Sequence, residues 1–144
     1  MYDKQNLDFH YEYGRIAIKH REYKKTMKPL EWIGRSKTDL CAFPTAVQHE
    51  IGLALTVAQY GGKHPTAKPL RGFGGAHVIE VVEDYDGDTY RAVYTVRFAE
   101  VVYVLHCFQK KSMRGIKTTQ RDIAMIKTRL RQAQEEYAQW QETR

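Results

Sequence analysis

"VVYVLHCFQKK", residues 101–111, begins as an unbroken run of strand-forming residues and ends in a histidine, a phenylalanine and two lysines. A continuous apolar run of this length is built to be a buried strand. Its last residues, however, are groups that hold phosphate. Two further runs precede it, "HVIEVVE" and "TYRAVYTVRF", and the Asp86-Gly87 pair between them is a two-residue hairpin signal. Together the three read as an antiparallel meander.

Upstream, "PLEWIG" (29–34) reads as a short first strand closed by Gly34. Ser36 with Asp39 three residues on is a capping-box pattern that starts a short helix. Pro44 suits the first turn of a second helix, whose Val47, Ile51, Leu55 and Ala58 recur at helical spacing until Gly61 and Gly62 stop it. These two helices form a hairpin. The stretch "GGKHPTAKPLRGFGG" (61–75), with five glycines and two prolines, reads as a loop carrying Lys63, Lys68 and Arg71. At the other end, Thr119 and Asp122 form a second capping box, and Ile123, Ile126, Leu130, Ala133, Tyr137 and Trp140 line one face of a closing helix. The fold class is therefore α+β: a small antiparallel-meander sheet packed by an N-terminal helical hairpin, with a C-terminal helix.

A chain of 144 residues is sized for one domain. Residues 1–26 are tyrosine-rich and charged with no sustained pattern, and read as an extension to a domain spanning 27–144. Met27 is a candidate natural start, which intact-mass analysis of the natively expressed protein tests; the alternative is an ordered arm packed on the domain. The 23 Lys and Arg against 17 Asp and Glu leave a net charge of +6, a bias toward polyanions such as RNA, DNA or ribosomes. Cys41 and Cys107, far apart, suggest neither a disulfide framework nor a zinc site, and the six histidines lack paired metal spacing. The expectation is a cytoplasmic protein with no cofactor and no membrane span.

Alternation sorts the meander into two faces. Ile79, Val81, Ala92, Tyr94, Val96, Tyr103, Leu105 and Cys107 make one, the face for helices to cover. The other holds Val78, Glu80, Val82, Arg91, Val93, Thr95, Val104, His106, Phe108 and Lys110, where ionisable groups punctuate valines. A cleft explains that mixture. A plainer account makes Glu80 and Arg91 a cross-strand ion pair and Lys110 and Lys111 a solvated strand end.

"KPLRGFGG" followed by "VIEVVE", "YRAVYTVRF", "VYVLHCFQKK" and a capped terminal helix resembles the phage-derived, Gp49-like branch of the RelE/HigB toxin superfamily, over roughly Met27 to Tyr137. The resemblance implies a sheet packed by a helical hairpin, with the remaining helix near the sheet edge. It also implies a type II toxin that cuts mRNA on the ribosome, held inactive by an antitoxin expected to be of helix-turn-helix type. The family's strand arginine falls on Arg91, its basic residue after the last strand on Lys110 with Lys111 beside it, and "PLRG" places Arg71 near the cleft. The chain departs from ribosome-dependent relatives in having Val78 and Glu80 where they carry lysines, and "SMRGIKTT" lacks their terminal tyrosine. Their catalytic scheme therefore does not transfer.

Metal-free RNA cleavage needs a base for the 2′-hydroxyl, cations for the pentacoordinate phosphate and an acid for the 5′-oxygen. Glu80 or His106 is the candidate base, His106 the acid, and Arg91, Lys110 and Arg71 the cations. Lys68, Arg71, Phe108 and Lys111 are the candidate RNA-binding residues, Phe108 by stacking on an exposed base. The basic positions Arg121, Lys127, Arg129 and Arg131 read first as a solvated helix face and second as a platform for ribosomal RNA. Competing functions are a ParE-like gyrase poison and a non-catalytic phage protein that binds nucleic acid.

Overall fold

In a computed structural model, which describes residues 27–75, 77–110 and 118–143, the expected hairpin turn sits on Asp86 and Gly87. Both have positive φ, 50° and 83°, as a two-residue turn matched to strand twist requires. It joins β3 (Val78–Tyr85) to β4 (Asp88–Thr95), and β5 (Val102–Lys110) pairs antiparallel with β4. The meander is as expected. β1 (Leu30–Trp32) lies parallel to the first half of β5, and β2 (Ala67–Pro69) lies antiparallel to β3, giving the sheet order β1-β5-β4-β3-β2.

The strand β2 falls in the stretch expected to be a loop. It is three residues long at the sheet edge, where Pro69 has no ladder bond to lose on its outer side. Glycine content masks so short an element.

α1 (Ser36–Cys41) and α2 (Thr45–Gln59) form the helical hairpin. Pro44 is the N-cap of α2, and Gly61, at φ 84°, turns the chain away beyond its C-cap Tyr60. Ser36 is not the expected N-cap. That position is Arg35, and the buried Ser36 hydroxyl donates instead to the Val104 carbonyl on β5 at 3.1 Å. At α3 (Gln120–Glu142) the expected cap is present: Thr119 Oγ1 accepts from the Asp122 amide at 3.2 Å. Of its predicted apolar face, Ile126, Leu130 and Ala133 are buried, whereas Trp140 is exposed.

Both faces of the sheet are covered. Leu40, Val47, Ile51, Leu55 and Ala58 of the helical hairpin pack on Ile79, Val81, Ala92, Tyr94, Val102, Val104 and Cys107. On the opposite face, Ile126, Leu130 and Ala133 of α3 pack on Val78, Val93, Tyr103 and Leu105. α3 therefore lies over a sheet face, not at the edge.

This corrects the sorting by alternation: Tyr103 and Leu105 belong to the α3 side and Val104 to the hairpin side. The cause is a β-bulge. Val93 pairs with His106 while Tyr94 pairs with Val104, so Leu105 is an extra residue against β4 and the inside-outside alternation slips by one. The C-terminal half of β5 keeps the predicted orientation. There His106, Phe108 and Lys110 share the α3 face.

Candidate nucleic-acid site at the N-terminus of α3

Strand register sets the chemistry out in rows. Lys68 pairs with Glu80, Glu80 with Val93 and Val93 with His106; the next row on this face is Val82, Arg91 and Phe108, and the third is Asp84, Thr89 and Lys110. These rows lie where the sheet runs out past the N-terminus of α3. Thr118, Thr119 and Asp122 close over them.

Glu80 and Arg91 make the ion pair that the plainer account expects, at 3.0 Å and with both residues under a tenth exposed. Lys68 Nζ stands 4.0 Å from the other Glu80 oxygen, and Thr118 Oγ1 lies 3.5 Å from both Arg91 Nη1 and Glu80 Oε2. A buried pair of this kind holds its charges only if the remaining hydrogen-bond capacity is met.

Beside it, His106 Nε2 meets Asp122 Oδ1 at 2.9 Å, and Asp122 Oδ2 takes the Thr119 hydroxyl at 2.7 Å and faces Lys110 Nζ at 3.8 Å. Phe108 stacks on the His106 ring, centroids 4.5 Å apart, and Lys110 Nζ lies 6.0 Å from the Phe108 centroid. Arg129 Nη1 reaches both the Leu105 carbonyl, at 2.9 Å, and His106 Nδ1, at 3.2 Å. The bulge thus supplies an anchor for that guanidinium.

Burial pushes His106 below its ordinary value, opposed by its hydrogen bond to Asp122 and assisted by the charge of Arg129. For Asp122, burial alone raises the carboxyl, but hydrogen bonds from His106 and Thr119 and the charges of His106 and Lys110 outweigh it and hold the group low. The buried Cys107 thiol is pushed up, as befits an unreactive cysteine on the hairpin side.

Of the residues selected from sequence, Lys68, Glu80, Arg91, His106, Phe108 and Lys110 come together on this face. Arg71 does not join them: it stands in the exposed turn after β2, although its neighbours Leu70 and Phe73 pack against the α3-side core. Lys111 lies outside the described residues. Sequence reasoning missed three members: Thr118 carries no signal in the sequence, Asp122 reads only as a cap, and Arg129 reads as part of a solvated helix face.

With Lys68, Arg91, Lys110 and Arg129 against Glu80 and Asp122, the cluster has more cations than carboxylates. A cavity of about 330 Å³ lined by Pro29, Glu31, Val101, Tyr103, Glu136 and Trp140 contains none of these residues. The candidate site is thus a shaped surface. Among the described residues, no group of three or more His, Cys, Asp or Glu is placed to hold a metal ion, and no helix is long and apolar enough to cross a membrane.

The family model described as phage-derived protein Gp49-like (DUF891) matches residues 38–131. The chain belongs to the Gp49-like family. This is a RelE-like toxin family, and the matched span runs from α1 into α3, including every residue of the clustered site. No curated protein and no solved structure matches the chain.

Proposed function

We propose that this Gp49-like protein is the toxin of a type II toxin-antitoxin pair and cuts mRNA on the ribosome. The observation that carries the reading is the placement of Arg91 and Lys110 on one sheet face on either side of Phe108, with His106 stacked on the same ring. Two cations around one aromatic fit a phosphodiester and its neighbouring base.

An entering phosphate competes with Glu80 for Arg91 and Lys68, and with Asp122 for Lys110. Arg91 and Lys110 then stabilise the charge that builds on the pentacoordinate phosphorus. Glu80, brought close to the phosphate by its own cations, is the base for the 2′-hydroxyl. The same negative charge favours the protonated form of His106, which becomes the acid for the departing 5′-oxygen. Phe108 offers an edge or face to an unstacked base.

The partners of this reading are the ribosome, mRNA and an antitoxin, for which a neighbouring gene encoding a small helix-turn-helix protein is the direct genetic check; the compartment is the cytoplasm. The deciding experiment is primer extension on a defined mRNA in a reconstituted translation reaction, with purified protein, with and without ribosomes. Cuts within the A-site codon that vanish without ribosomes support the proposal. Cuts in both reactions indicate a free ribonuclease. No cuts from folded protein in either reaction move the assignment to a gyrase poison or a non-catalytic binder.

A further inference from the structure

We propose that Arg129 is a positioning residue that acts through His106, fixing the imidazole proton on Nε2 and directing it at Asp122. The inference rests on the nuclease reading for its catalytic meaning, but its geometric core stands on its own. A guanidinium has only donors, so the 3.2 Å contact from Arg129 Nη1 requires a lone pair on His106 Nδ1. The proton of the neutral ring then sits on Nε2, where it is donated to Asp122 Oδ1 at 2.9 Å. Carboxylate, imidazole and guanidinium form one chain of hydrogen bonds.

Arg129 is held for this task from two sides. Its Nη1 also donates to the Leu105 carbonyl at the bulge, at 2.9 Å, and its guanidinium lies against the turn between β1 and α1. A Cβ at Gly34 would stand 3.0 Å from Arg129 Nε and Nη2 and 3.1 Å from Cζ, and Gly34 has φ 58°. The turn leaves room for the guanidinium by having no side chain there. The bulge itself is what brings His106 round to the same face as Arg129.

The charged groups facing His106 are Asp122 and Arg129 from α3, Asp39 from α1 and Lys110 on its own strand, with the Glu80–Arg91 pair across the sheet. Asp122 and Asp39 favour a protonated ring; Arg129 opposes it, and protonation at Nδ1 also costs the hydrogen bond from Arg129. Arg129 thereby keeps the ring neutral until phosphate charge arrives beside it. Its role is to set when His106 takes up its second proton.

The test is side-chain ¹⁵N NMR of the full chain, with the His106 signals assigned by their loss in His106→Gln. In the unsubstituted protein at neutral pH, Nε2 should be the protonated nitrogen and Nδ1 the bare one. Arg129→Met should admit the other tautomer and move the His106 titration midpoint upward, while Arg129→Lys, which keeps a charge and a donor, should restore most of the original behaviour. If Arg129→Met does not fold, Arg129→Gln replaces it, since it removes the charge and should also raise the midpoint. A proton on Nδ1 in the unsubstituted protein, or an unmoved midpoint in a folded charge-removing variant, overturns the proposal. In cleavage assays, Arg129→Met should shift the pH profile in the direction of the NMR midpoint, while the misplaced ring lowers the maximal rate on the order of tenfold, below the loss of an acid or base itself. If the unsubstituted protein cuts no RNA, the nuclease reading falls while the NMR result still decides the role of Arg129.

Discussion

Arg91 donates to Glu80 at 3.0 Å across β3 and β4, and both side chains are nearly buried. The pair is diagonal, since Glu80 stands opposite Val93 and Arg91 opposite Val82. It therefore ties two adjacent rows of the sheet, and one of its charges is the cation that the proposed chemistry needs.

Removing one partner should be costly. Glu80→Ala takes the carboxylate from a buried guanidinium and should destabilise the fold by about 3–5 kcal/mol, read from urea unfolding midpoints. Replacing both residues by methionine should recover much of that loss, because an apolar pair of similar volume needs no desolvation. Cleavage should stay lost in the double variant. Full activity there would remove Arg91 from the mechanism.

His106 titrates below its ordinary value of 6.5, with burial as the first cause. The unfolded chain therefore binds the proton at higher pH than the folded one. The stability that comes from keeping the ring neutral is complete above about pH 6.5 and is lost as pH falls through the folded-state value. Asp122, held below 3.8, loses its contribution only at lower pH still. Urea midpoints measured between about pH 8 and pH 5 should fall toward acid. His106→Gln should flatten that slope, and an unchanged slope would mean that other groups produce it.

What the sequence made legible follows from how local each signal is. The Asp86-Gly87 turn, the Pro44 start and Gly61 stop of α2, and the Thr119–Asp122 cap each depend on a few neighbouring residues, and each is found in the structure. The bulge at Leu105 depends on register between β4 and β5, so alternation misassigned Val104, Tyr103 and Leu105 while placing His106, Phe108 and Lys110 correctly. Arg129 was illegible for a related reason. Helical spacing places it on α3, but only the packing of α3 against β5 and the Gly34 turn shows that its guanidinium points inward.

The cap at Thr119 should couple stability to the site. Thr119→Ala loses the acceptor for the Asp122 amide and the hydroxyl that holds Asp122 Oδ2, and should cost about 1 kcal/mol. Among the described residues, the Asp122 carboxylate then keeps His106 and Lys110 as partners. Cleavage should fall by more than the stability loss explains, checked in folded protein well below its unfolding midpoint. Thr119→Ser, which retains the hydroxyl, should behave nearly as the unsubstituted protein.

Salt dependence separates the cluster from the helix face. If Lys68 and Lys110 contact phosphate, substitution of either by methionine should lower the slope of log affinity against log salt by roughly one, in ribosome or RNA binding. Arg71, exposed in the turn after β2, should have the same effect only if that turn reaches the bound strand. Lys127 and Arg131 are exposed on α3. As ordinary solvated residues, their replacement should leave the slope unchanged, because an exposed charge that touches no phosphate releases no counterion on binding. A slope that falls with Lys127→Met and Arg131→Met but not with Lys110→Met would move the RNA-binding surface from the sheet rows to the outer face of α3.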